Sequence, residues 1–156
     1  MTFQIKALSP EPFRELFALD DAALAARRAR SVIADARPGF PCRVSLRDAD
    51  IGERLILVHF AHLNKASPYA ASHAIYVRED AQQAMPEVGE IPALFETRLL
   101  SIRSFDDDAM MLGADVVPGT ALKDALLEAF TDGATEFVDI HNAKPGCFAA
   151  RAVRAG

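Results

Sequence analysis

Three of the four histidines in this chain, His59, His62 and His73, fall in the stretch LVHFAHLNKASPYAASH at residues 57–73. Imidazole binds metal ions and moves protons near neutral pH, so the spacing of these rings sets the chemistry open to them. His59 and His62 are three apart on a segment that reads as a strand, and a period-two pleat sends their side chains to opposite faces. No Asp, Glu or Cys lies between His59 and His73. Zinc ligands typically recur at spacings suited to one regular element, such as i,i+2 on a strand or i,i+4 on a helix. The spacing here matches neither, and it assigns no metal ligand. The expectation is a hydrogen-bonded His59 at a sheet edge and a solvated His62.

The fourth ring, His141, lies in FVDIHNAKPGCF, residues 137–148. Asp139 is two residues earlier on a strand and so shares its face. A carboxylate there can fix an imidazole tautomer, which makes His141 a candidate general base and Asp139 its orienting group. The structural alternative is that Asp139 and His141 alternate with Val138 and Ile140 as the wet side of a half-buried strand does. Arg43, His59, Tyr69, Ser72, His73 and Asn142 form a candidate ligand-binding set at strand ends and in the loop Ala61 to Ser72, with Arg43 holding an anion. Cys42 and Cys147 have no visible activating neighbour and read as small structural thiols. Asp106 to Asp108 read as a solvated hairpin tip, since they lack the alternating oxygen ligands of a calcium loop. No P-loop, G-x-G-x-x-G, H-E-x-x-H or G-x-S-x-G motif occurs.

These residues have to be positioned by short apolar segments bounded by turn residues. RSVIAD, CRVSL, RLILVHF, SHAIYVR, TRLLSIRSF, MMLGADVV, TEFVDIH and CFAARAV read as strands. Helices are expected from about Pro10 to Ala18, from Asp21 to Arg28 behind an Asp20 cap, and over TALKDALLEAFTDG, with Thr120 as cap and Gly133 as stop. Three Pro-Gly pairs, at 38, 118 and 145, are expected to form type II turns with a positive φ at glycine. The helices are too few to cover both faces of a parallel sheet. The expected fold is therefore α+β, a mostly antiparallel sheet with two or three packed helices.

With 156 residues, 51% hydrophobic and 25% charged, the chain is expected to form one domain over residues 1–156 with a sizeable core. The apolar run Leu55 to Ala61 is far short of the ~20 residues that cross a bilayer. A net charge of −5 argues against a nucleic-acid partner. The basic cluster Arg27, Arg28 and Arg30 has a simpler role at a helix C-terminus. The start, MTFQIKALSPEPF, lacks the apolar stretch of a signal peptide, and two cysteines without C-x-x-C spacing fit a reducing compartment. A cytoplasmic location is expected.

The phrases PGFPCRVSLRDADIGERLILVHF, SPYAASHAIYVRE, LLSIRSFDDDAMMLGADVV and HNAKPGCFAARAVRA, in this order, resemble the bacterial family catalogued as domain of unknown function 1203. The resemblance spans nearly the whole chain and implies a small cytoplasmic protein with no assigned activity, substrate or cofactor. The family pattern has glycine before the paired methionines, where this chain has Ala109, so a special backbone conformation at that turn is not expected. The leading functional reading is a pocket for a small polar or anionic molecule at strand ends. The alternatives are a non-catalytic homodimeric interaction module and, third, a metal-binding protein.

Overall fold

In the computed structural model, residues 2–156 are described. Eight strands occur in chain order: β1 (Thr2–Lys6), β2 (Ala29–Ile33), β3 (Arg54–Leu63), β4 (Ala71–Arg78), β5 (Leu99–Phe105), β6 (Met111–Pro118), β7 (Phe137–Asn142) and β8 (Phe148–Ala155). The helix α1 (Asp21–Ala26) precedes β2 and α2 (Leu122–Ala129) precedes β7, with 3-10 helices at Glu11–Ala18, Ala93–Phe95 and Gly119–Ala121. The strands form a five-stranded sheet, β1-β8-β7-β5-β6, and a three-stranded sheet, β2-β3-β4. Every pairing between them is antiparallel, as the α+β reading requires.

Two sheets replace the single sheet expected, and the physical reason lies in coverage. Leu122, Leu126 and Phe130 around α2 pack on Val138, Ile140, Ala150 and Ala152, one face of the larger sheet. Phe13, Leu16 and Leu24 cover Ile56, Val58, Ile75 and Val77 of the smaller sheet. The other face of the larger sheet meets the end of β3, where Leu63 packs with Phe105 and Phe137. All six residues of β7 are therefore buried, and Asp139 and His141 do not lie on a wet face.

Local chemistry explains the remaining departures. CRVSL is not a strand: Cys42 makes one parallel bridge to Tyr76, and Leu46 at φ 51 closes a turn with its N–H on the Cys42 carbonyl at 3.0 Å. That turn drives Val44 into the core. Of the three Pro-Gly glycines only Gly146 has a positive φ, 78°. Asp20 does cap α1, accepting the Ala23 N–H at 2.8 Å, but α2 starts at Leu122 after a 3-10 turn, with no side-chain cap from Thr120. The first helix is 3-10 rather than α. β1 escaped the sequence reading and pairs with β8 along its whole length. Ala109 adopts φ 57, the left-handed conformation that glycine takes without cost. The turn before the paired methionines is thus left-handed at an alanine, and the Ala109 methyl is buried against Phe105 and Leu63.

Candidate functional site

His62 from β3, His73 from β4 and His141 from β7 converge, with one ligand-capable nitrogen of each within 4.8 Å of the others. The register explains the first two. Phe60 pairs with His73, so those side chains share a face. His62 lies within the bulge between Phe60 and Leu63, where the extra residue breaks the alternation, and its ring turns to His73. The pleat puts His59 on the opposite face, where it is exposed. His141 comes from the other sheet, on the same face as Phe137 and Asp139. The His62 ring lies between His73, at a centroid distance of 4.8 Å, and Phe148, at 4.7 Å. The His62 side chain is 2% exposed, so the solvated residue expected from sequence is instead at the centre of the cluster.

The outer nitrogens have their own partners. His141 Nδ1 is 3.0 Å from the Gly146 carbonyl oxygen, in a turn closed by the Gly146 N–H on the Asn142 carbonyl at 2.8 Å with Gly146 at a positive φ. His62 Nδ1 is 3.5 Å from Asp139 Oδ2, beyond a well-formed hydrogen bond, and has no closer partner among the described residues. His62 Nε2 is 2.8 Å from His73 Nδ1. The Asp139 carboxylate, fully buried, accepts both fork nitrogens of Arg151, at 2.6 and 3.0 Å. The expectation that Asp139 orients His141 is therefore corrected: the carboxylate faces Arg151 and His62, and Gly146 serves His141. Burial alone would raise the Asp139 pKa, but His62 and Arg151 outweigh it and hold the carboxyl below its ordinary value.

Burial pushes His141 down to about 4, with Arg103 and His62 acting in the same direction and the Gly146 carbonyl opposing them. The ring is neutral at pH 7 and a weak base there. His73 is also lowered, by burial first and then by His62. A folding consequence follows for His141. Between its ordinary value of 6.5 and about 4 the unfolded chain takes up a proton that the folded chain refuses. Stability should therefore fall as pH drops through that window, by up to about 3 kcal/mol. Urea midpoints at pH 7 and 4.5, with a chelator present, read this out. His141→Gln should flatten the His141 share of the decline, and a wild-type midpoint unchanged between the two pH values would refute it.

A cavity of about 610 Å³ adjoins the cluster, lined by Arg43, His73, Tyr76, Arg98, Asn142 and Cys147 among others. Arg43 is 2% exposed. Its Nε donates to the Phe148 carbonyl at 2.8 Å, Nη1 to the Pro41 carbonyl at 2.6 Å and Nη2 to Cys147 Sγ at 3.0 Å. No carboxylate pairs with it among the described residues. Burial opposes its charge, and Cys147 is the first group to offset that. Arg98, by contrast, is neutralised by a fork on Asp48 at 2.6 and 3.1 Å. Asn142 donates to Cys147 Sγ at 3.5 Å, and its buried Oδ1 has no partner among the described residues.

Of the candidate residues, Arg43, His73 and Asn142 meet at this cavity, with His141 in the cluster that His73 shares. His59, Tyr69 and Ser72 do not line it. The Ala61 to Ser72 loop is tied to the β5–β6 turn, where Ser67 Oγ donates to the Ala109 carbonyl at 2.7 Å and the Tyr69 ring meets Phe105 edge-on. Sequence reasoning placed neither His62 nor Arg151 in the site. The β3–β4 hairpin register could have brought His62 to His73, and an arginine opposite Asp139 on the next strand is the signal for Arg151.

The structural class is an antiparallel α+β fold in which two sheets enclose a three-histidine cluster beside an arginine-lined cavity. The chain belongs to the family described as Protein of unknown function (DUF1203), whose model matches residues 39–154. The match covers every residue of the cluster and of the cavity wall named above. No curated protein and no solved structure matches the chain. Among the described residues no helix is long and apolar enough to cross a membrane.

Proposed function

We propose that this protein binds a small anionic molecule in the cavity at the junction of the two sheets. The observation that carries the reading is the pairing of a buried Arg43 lacking a carboxylate with a buried Asn142 Oδ1 lacking a donor, on one cavity wall. A guanidinium has five N–H groups. Three make the contacts given above, which leaves one on each Nη. A carboxylate or phosphate matches that fork and compensates the charge. Asn142 Oδ1 asks for an O–H or N–H beside the anionic group, so hydroxy acids, amino acids and their phosphorylated forms are the matching class.

Thermal melting against a panel of small hydroxy and amino acids, with their neutral amides as controls, tests the proposal. A ligand at 100 times its Kd should stabilise the fold by about 2.7 kcal/mol. Asn142→Ala should weaken the response while leaving the far-UV circular dichroism unchanged. A panel with no stabilising acid, or one in which amides and acids act alike, would overturn the reading.

A further inference from the structure

We propose that His62, His73 and His141 hold a divalent transition-metal ion of the zinc or cobalt type, with a fourth coordination position open to the cavity. Three neutral imidazoles suit Zn, Co, Ni or Cu, while Mg and Ca prefer oxygen donors. The rings come from three strands in two sheets, so the site is held by the tertiary fold rather than by a local loop. The inward atoms are His62 Nε2 and His73 Nδ1, 2.8 Å apart, and His141 Nε2, left by the Gly146 contact on Nδ1.

A tetrahedral ion about 2.0–2.1 Å from each nitrogen sets them roughly 3.4 Å apart. The close pair must open and the widest pair, within 4.8 Å, must close. The first change is about 0.6 Å and the second at most about 1.4 Å.

The outer contacts point the same way. Histidines that ligate a metal usually donate their other N–H to a carbonyl or carboxylate. His141 has the Gly146 carbonyl in that place and His62 has Asp139. Metal on His62 Nε2 puts the proton on Nδ1 and gives that long contact to Asp139 its donor. Asp139 stays an outer partner because Arg151 already grips both oxygens. His73 is the one ring of the three that lines the cavity, so the position left for water or a ligand borders that space. This inference does not depend on anion binding, and metal uptake is measured with no anionic ligand added.

Untagged protein, stripped with a chelator and dialysed, is titrated with cobalt(II) and followed by its visible d–d absorption. Uptake of about one equivalent with a tetrahedral spectrum is expected. His73→Ala, a part-exposed position, should weaken binding by about 100-fold or more, as should His62→Ala. His59→Ala, on the far face, should bind as the wild type does. Circular dichroism separates lost ligands from lost fold. Uptake well below one equivalent by folded wild-type protein overturns the proposal, as does equal binding by folded His73→Ala.

Discussion

Asp139→Ala is expected to destabilise the protein by about 3 kcal/mol, at the lower end of the cost of breaking a buried ion pair. The carboxylate is completely buried, so the change leaves the Arg151 fork with the His62 carbonyl, 3.1 Å from Nη2, and takes away the carboxylate oxygen 3.5 Å from His62 Nδ1. The lower end applies because the Arg151 side chain is 30% exposed and keeps the Phe137 ring, 4.0 Å from its guanidinium carbon. For a urea m-value near ~2 kcal/mol/M, the midpoint should fall by about 1.5 M. The double change Asp139→Leu with Arg151→Met should recover much of the loss, since an apolar pair avoids the stranded charge. A single variant within 1 kcal/mol of wild type would show that the pair adds little and that the cluster is organised by packing alone.

Gly119→Ala should cost about 4 kcal/mol, in the extreme tail of single substitutions. A Cβ at this position would sit 1.6 Å from the Phe95 carbonyl oxygen and 2.5 Å from its carbon. These are backbone atoms, so no rotamer change relieves the clash. The approach is fixed from both sides: the Gly119 N–H donates to the Arg98 carbonyl at 2.7 Å, and Phe95 is buried in the core under α2. The glycine is required by close approach, its φ not being positive. Gly133→Ala is the internal control, because a Cβ there meets nothing within 4 Å and should change stability by no more than about 0.5 kcal/mol. Thermal melts followed by circular dichroism compare the two. Gly119→Ala melting with the wild type would mean that the Ala93–Phe95 segment yields freely.

Several elements were legible because their signals are local. β3 alternates Ile56, Val58 and Phe60 toward the 3-10 helix with exposed His59 between them, and the alternation holds as far as the bulge after Phe60, which the sequence does not mark. The Asp20 cap and the β5–β6 hairpin with its acidic tip follow from side chains that bond their own neighbourhood. Asp106 Oδ1 accepts the N–H groups of Asp108 and Met110 at 3.0 and 2.9 Å. β1 was missed because it draws its support from β8, at the far end of the chain.

What the amino-acid order determined by itself was the inventory: antiparallel strands, few helices, and which side chains within one strand share a face. Tertiary structure alone decided which faces meet. Alternation on β7 puts Asp139 and His141 on one side but cannot say whether water, a helix or another sheet lies there. Here it is the end of β3, and that contact turns a plausible wet face into a buried charge pair and a three-ring cluster. The register of one hairpin and the packing of one sheet on another are long-range choices, made by the burial of apolar area on both faces at once. They bring together residues as far apart in the chain as Arg43 and Cys147, or His62 and Asp139, which spacing along the sequence does not encode.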